Sequence, residues 1–220
     1  MRNVIRAVAL SVTAGLVLAS CGMGDSGTTD EPSTSPSPTS TVSVPPSVSM
    51  TEPGSDLSFG DSASVIFEPD QDRGTVLELT VEKVTKGSIE DFSGFILDDY
   101  TKAAMPYFVE VTVTNLGASD VGGVAVPVWG VDAADTLLPA ASFTTSFGKC
   151  ESAPLPKLFE TDDTLETCLV FLAPDAGTLE AVSFRPVQEF DAITWTGEIA
   201  TPAPKPEPTK KPGKKSGNKN

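Results

Sequence analysis

The side chains that most often carry out catalysis are scarce in this sequence. It contains no histidine and three cysteines, Cys21, Cys150 and Cys168. The lack of histidine excludes Ser-His-Asp and Cys-His mechanisms, His-bound zinc or copper and an imidazole pH switch. No phosphate-binding loop and no dinucleotide-binding glycine motif is present either. The sequence therefore predicts a protein that is not an enzyme and uses no cofactor.

Carboxylates are the remaining candidates for catalytic groups. Asp98 and Asp99 are adjacent, and a second cluster contains Glu160, Asp162 and Asp163. Two carboxylates held about 5 to 10 Å apart can hydrolyse a glycosidic bond. Nothing in the sequence brings the two clusters together, and solvated loop charges are the favoured interpretation in a chain this acidic.

A possible cation site lies in residues 68–74. This segment offers oxygen ligands at alternate positions, Asp70 and Asp72 among them, and ends in a glycine, which is similar to a calcium-binding loop. The third acid and the closing glutamate of such a loop are missing. A hairpin turn with solubilising acids is the favoured interpretation, with metal ligation by Asp70 and Asp72 as the alternative.

The first twenty residues have the pattern of a secretory signal. Arg2 and Arg6 precede the apolar run 7–18, which is shorter than the roughly 20 residues of a membrane-spanning helix. The run ends in Leu18-Ala19-Ser20-Cys21, which resembles the bacterial lipobox. That resemblance implies cleavage before Cys21, a lipid on its sulfur and a protein held on the extracytoplasmic face of the cell membrane. Ordinary secretion without a lipid is the alternative.

The other two cysteines form an even pair. If Cys21 carries the lipid, Cys150 and Cys168 remain in a compartment that permits disulfides, and we expect them to be bonded. The alternative is a pair of free or metal-binding thiols, although two sulfurs without histidine are a poor ligand set.

Composition divides the mature chain into three parts. Residues 21–56 are rich in Ser, Thr and Pro and predict a disordered linker, and residues 57–200 are long enough to form one domain. This domain contains 7 basic and 24 acidic residues, a net charge of −17, which disfavours nucleic acid as a partner. Residues 201–220 predict a disordered tail with a net charge of +5. Its six lysines are candidates for binding a polyanion, with a merely solvated end as the alternative: Lys205, Lys210, Lys211, Lys214, Lys215 and Lys219.

The domain itself has the pattern of an all-β fold. Apolar and polar residues alternate in several short segments separated by turn residues, which is typical of a sandwich or barrel. Pro127 predicts an edge or a bulge in its segment, and a short helix is expected around residues 99–104. The predicted strands are 75–84, 107–115, 124–131, 165–172, 179–184 and 193–195.

These segments resemble a family of bacterial extracytoplasmic domains. The resemblance rests on residues 107–117, on the loop 158–163 before the strand 165–172, and on Ile193-Thr194-Trp195. The family is a domain of unknown function, DUF4352, akin to a secreted mycobacterial immunogenic antigen. It implies an immunoglobulin-like antiparallel β-sandwich over residues 59–197 and brings no active site. The family loop usually carries a glycine where this chain has Asp162 and Asp163.

The expected function follows from this architecture. We expect a non-catalytic binding module that engages an envelope protein or an anionic wall polymer, and the alternative is a carrier of a small ligand or cation for a transporter. Trp129 and Trp195 lie in apolar strand contexts, so core packing is the favoured role for both and a ligand platform is the alternative.

Substitution of Cys21 by serine tests the lipid anchor. We expect Cys21→Ser to abolish incorporation of a labelled fatty acid and to move the protein from the membrane fraction to the medium, because the acylated sulfur is lost. Cys150→Ser is the matched control and should keep the label. Labelling of the Cys21→Ser chain, or membrane retention equal to wild type, would contradict the lipobox assignment.

Overall fold

The computed structural model describes residues 42–202, and this part of the chain is an all-β sandwich of two sheets, as the sequence predicts. The predictions for Cys21, for most of the linker and for the six lysines of the tail lie outside the described residues. One short α-helix, α1 (Asp99–Ala103), is where the sequence predicts a helix. Within the described residues, no helix has the length and apolar character needed to cross a membrane.

Nine strands of residues 42–202 form the two layers. A four-stranded antiparallel sheet has the order β2-β3-β4-β7, and a five-stranded sheet has the order β1-β9-β8-β5-β6, in which only the β1–β9 pair is parallel. The strands are β1 (Asp56–Ser58), β2 (Ser62–Phe67), β3 (Thr75–Lys86), β4 (Met105–Asn115), β5 (Trp129–Asp132), β6 (Leu137–Leu138), β7 (Thr164–Ala173), β8 (Leu179–Phe184) and β9 (Ile193–Thr196).

The main core lies between the sheets and is built by the period-2 alternation of the strands. Leu77, Leu79 and Val81 of β3 point into it and are fully buried. Trp195 of β9 closes it from the other sheet, where its indole N–H donates to the carbonyl of Asp61 at 2.9 Å. A buried indole is stabilised when its single donor is satisfied in this way.

The strand expected at 124–131 is shorter than predicted. Only Trp129–Asp132 forms β5, and residues 124–128 follow an irregular path. Pro127 has no N–H for a sheet hydrogen bond, and the chain makes a tight turn around it in which the N–H of Val128 donates to the carbonyl of Val126. β5 lies between β6 and β8, so Pro127 ends the strand and does not place it at an edge.

The folded part starts before residue 57, where the sequence places the domain boundary. The N–H of Thr51 donates to the carbonyl of Ser64 at 2.9 Å, and the Thr51 hydroxyl accepts from the N–H of Ser64 at 3.0 Å. Residues 51–58 therefore belong to the domain. Their polar composition hides this, because their hydrogen bonds to β2 and β9 are mostly backbone interactions.

A second, smaller core covers the outer face of the four-stranded sheet. Phe108 of β4 and Val170 of β7 point outward, away from the main core, and two long connections, residues 87–104 and 139–163, pack over them. These connections contribute most of a cluster of five phenylalanine rings with centroid separations of 4.6 to 6.3 Å: Phe92, Phe95, Phe108, Phe143 and Phe147. The two connections contain no strand, and these phenylalanine rings pack them against the sheet.

A disulfide fixes one of these connections to the sheet. Cys150 and Cys168 are bonded, with their Cα atoms 5.1 Å apart, so the expected pairing is confirmed. Cys168 belongs to β7 and Cys150 to the connection that carries Phe143 and Phe147. Closing a loop of this length stabilises a fold by roughly 3 kcal/mol in the chain-entropy model.

Candidate functional site

The possible cation loop is a hairpin turn between β2 and β3. Asp70 Oδ1 accepts from the N–H groups of Asp72 and Arg73 at 3.0 and 2.9 Å, and its other oxygen is 2.8 Å from the Arg73 guanidinium. These contacts, first of all that with the Arg73 side chain, lower the pKa of Asp70. Asp70 therefore shapes the turn, and Asp72 is exposed beside it. Within residues 42–202, no three cysteines or acidic residues lie close enough to hold a metal ion.

The two carboxylate clusters lie at opposite ends of the sandwich. Asp98 caps α1 directly before β4, where it accepts from the N–H of Thr101 at 2.7 Å. Asp163 lies beyond the other end of β4, where its carbonyl accepts from the N–H of Asn115. An eleven-residue strand separates the clusters by roughly 30 Å. Such a distance excludes joint acid-base catalysis by the two groups.

The second cluster has a structural role. Asp162 takes a left-handed conformation with φ of 67°, and Asp163 Oδ2 accepts from the N–H of Glu160 at 2.8 Å. Aspartate adopts this conformation more readily than most residues other than glycine. Asp162 thus supplies the backbone geometry that a glycine would supply at this point of the loop.

The two tryptophans have different environments. Trp195 is fully buried, as expected, but core packing was the wrong expectation for Trp129, which is 36% exposed. Gly130 explains the difference, because a Cβ at this position would lie 2.8 Å from Leu179 and 3.0 Å from Phe171. The inward position of β5 has no room for a side chain, so the neighbouring Trp129 points outward.

Trp129 lines a groove with a volume of about 430 Å³, which we call the Trp129 groove. Its walls come from the end of β2, the irregular segment 124–128, the connection after β6 and the residues after β8. Apart from alanine and valine, the lining residues are Phe67, Glu68, Pro69, Pro127, Trp129, Pro139, Arg185 and Pro186. Four prolines and an indole make the groove rigid and apolar, since none of these side chains has much rotamer freedom to lose on binding.

Two N–H groups of residues that line the groove have no acceptor among residues 42–202. The Arg185 guanidinium donates through one terminal nitrogen to the carbonyl of Gln188, but its Nε is buried and has no hydrogen-bond partner among the described residues. The indole N–H of Trp129 has no acceptor in residues 42–202 either. A buried donor without an acceptor is unfavourable by about 1 to 3 kcal/mol.

A buried amide organises the end of the sandwich that carries the groove. Asn115, at the end of β4, is fully buried, and its Nδ2 donates to the carbonyls of Ser119 and Phe159 at 2.9 and 2.7 Å. Its Oδ1 accepts from the Thr75 hydroxyl at 2.6 Å and from the N–H of Gly117 at 3.1 Å. The side chain thereby joins β3, the segment after β4 and the loop before β7.

Asp120 extends this connection to the groove. Its Oδ1 accepts from the N–H groups of Phe159 and Gly122, both at 2.8 Å, and these bonds lower its pKa below the ordinary value. The N–H of Gly123 then donates to the carbonyl of Pro156, and Val124 accepts from Leu155. Residues 121–124, which lead into the groove wall, are therefore held by the loop before β7.

The chain matches no protein-family model, no curated protein sequence and no solved structure. The resemblance to DUF4352 therefore stays a prediction.

Sequence reasoning missed this site because its residues are far apart in the chain. Pro69, Trp129 and Arg185 belong to three different segments, and only the fold brings them together. The sequence contains one signal for the site. Trp129 lies close to Pro127, and a proline interrupts a regular strand at this position.

Substitution of Asp120 tests the acid sensitivity of this end. Because its pKa is lowered in the fold, Asp120 stabilises the domain above its ordinary pKa near 3.8, and this contribution is lost as the pH falls through the folded value. We expect Asp120→Asn to lower the free energy of unfolding at pH 7 and to make it fall less than in wild type between about pH 5 and pH 2. Chemical denaturation at several pH values measures this.

The matched control is Asp72→Asn, which removes the same charge from an exposed position. It should leave the unfolding free energy at pH 7 nearly unchanged. Identical pH profiles for Asp120→Asn and wild type would show that the two hydrogen bonds to Asp120 do not stabilise the fold.

Proposed function

We propose that the protein is a lipid-anchored lipoprotein of the extracytoplasmic membrane face and that its sandwich is a non-catalytic binding module for another component of the cell envelope. The Trp129 groove is its binding surface. One observation carries this proposal: a partly exposed tryptophan lies in a rigid, proline-lined groove that Arg185 also lines.

The residue types of the groove support binding. Tryptophan and arginine are the residues most enriched among those that dominate binding free energies at protein interfaces. The loops that form the groove are fixed by Asn115 and Asp120, so binding requires little further ordering of the backbone. A preformed apolar surface with a few polar donors is typical of a binding site.

The position of the groove also supports this role. Val42, where the described part begins, lies near Glu68 and Gly74 of the β2–β3 hairpin, and Glu68 lines the groove as well. The chain ends its described part at Pro202, beside Lys86 and Met105, at the other end of β3 and β4. The groove therefore lies at the end where the segment that follows the lipidation site enters the domain.

The volume of the groove favours a second candidate, a carrier of a small apolar ligand. A volume of about 430 Å³ falls within the range of ordinary small-molecule sites. A carrier predicts that small apolar molecules extracted from the envelope raise the melting temperature of the domain, whereas a docking module predicts crosslinks to a macromolecule.

Site-specific photo-crosslinking in cells tests the docking function. A photoreactive amino acid at Val187, which is 56% exposed next to the groove residue Pro186, should yield a discrete crosslinked product. Adding Trp129→Ala should remove that product, because it deletes the main apolar contact of the groove without opening the main core.

The matched control places the photoreactive residue at Ile96, a fully exposed apolar position at the other end of the domain. It should not yield the same product. Equal products from both positions, or a Val187 product that persists in Trp129→Ala, would refute the groove as the binding surface.

A further inference from the structure

We propose that the Trp129 groove binds a proline-rich segment in the polyproline II conformation, and that this segment is the C-terminal tail, residues 203–212, of a second copy of the chain. The inference rests on the proposed function, since it names the partner of the same groove. It would join copies head to tail through two different surfaces, an arrangement that can continue from one copy to the next.

The chemistry of the groove fits a polyproline II segment. Such a segment forms no internal hydrogen bonds, so its carbonyl oxygens are free to accept from a partner. The groove offers the indole of Trp129, whose N–H has no acceptor in residues 42–202, next to apolar walls that include four prolines. Aromatic-lined grooves that combine ring contacts with such donors are a recurring way of binding proline-rich peptides.

The tail has the composition that this groove requires. Prolines stand at every second position from Pro202 to Pro208, and Pro212 follows. Proline favours the polyproline II conformation before binding, which lowers the entropy lost when the segment is held. No other stretch of the chain combines alternating prolines with lysines.

Charge favours the same occupant. The tail has a net charge of +5, and residues 57–200 have a net charge of −17. Glu68 lines the groove and the exposed Asp72 lies in the adjacent turn, so the lysines of the tail have two carboxylates to approach at this end of the domain. Glu207 is the single acid of the tail and is complementary in charge to Arg185. Such attraction accelerates association and weakens with added salt.

Geometry assigns the tail to a second copy. The chain leaves the described part at Pro202, next to Lys86 at the end of β3, whereas the groove begins at Phe67, which pairs with Thr75 at the start of β3. These ends are separated by the length of a twelve-residue strand, roughly 35 Å. At about 3.1 Å per residue, residues 203–208 span roughly 19 Å, so Pro204, Pro206 and Pro208 of the segment reach only the groove of another molecule.

Two measurements on the full mature chain carrying Cys21→Ser test the inference. Sedimentation should show salt-sensitive self-association that is lost when residues 203–220 are deleted and when Trp129 is replaced by alanine. A synthetic peptide of residues 201–213, added to the tail-deleted chain, should shift the tryptophan fluorescence to the blue in a saturable way. Trp195 is buried, so this shift reports on Trp129.

Control peptides define the chemistry. Replacing the prolines of the peptide by alanine, or its lysines by glutamate, should weaken binding about tenfold or more, because the first change removes the preformed conformation and the second reverses the charge. Equal binding by the glutamate peptide would overturn the tail as the occupant. A chain that stays monomeric at low salt and gives no saturable shift with any peptide would overturn the inference as a whole.

The outcome is separable from that of the proposed function. If no peptide binds while the Val187 crosslink persists and depends on Trp129, this inference fails and the groove has a different partner. If the Val187 crosslink joins two copies of the chain and disappears on deletion of the tail, both proposals are supported. Loss of the crosslink together with the absence of peptide binding would refute both.

Discussion

The buried amide of Asn115 is the interaction on which the functional end of this sandwich depends. It forms four hydrogen bonds at a fully buried position, and its partners belong to β3, to the segment after β4 and to the loop before β7. A buried polar group that loses its partner destabilises a protein by about 1 to 3 kcal/mol. The three segments are therefore most stable in the arrangement that forms all four hydrogen bonds of Asn115. Asp120 accepts hydrogen bonds from the N–H groups of Gly122 and Phe159 and so fixes residues 121–124, where the wall of the Trp129 groove begins.

The rest of the domain supports this end with two separate cores. The main core joins the two sheets, whereas the phenylalanine cluster covers the outer face of the four-stranded sheet. Residues 139–163 contribute to both cores. Phe147 and Cys150 belong to the smaller core, and Leu155 and Phe159 belong to the main core. The disulfide and the phenylalanine rings thereby hold the loop whose backbone carbonyls position the groove segment. Binding residues on irregular segments require a rigid scaffold of this kind.

The sequence predicts most of the scaffold and little of the groove. Alternation in segments such as residues 75–84 and 179–184 reveals strands because it reflects local burial, and the cysteine count leads to the Cys150–Cys168 pair. β2 also alternates, with Ala63, Val65 and Phe67 buried, and the predicted strands do not include it. The sequence predicts Trp129 in the core, whereas its actual exposure depends on the lack of space at Gly130, which Phe171 and Leu179 create. Such a constraint exists only in the folded protein.

Amide hydrogen exchange in Asn115→Ala tests the central claim most directly, with Thr112→Ala as a control on the exposed face of the same strand. If Asn115 positions the groove, peptides covering residues 116–128 and 155–163 should lose protection in Asn115→Ala while β8 and β9 remain protected. Thr112→Ala should leave both regions unchanged. Unchanged exchange in residues 116–128, or an equal loss of protection throughout the domain, would contradict a specific role of the buried amide in forming the groove.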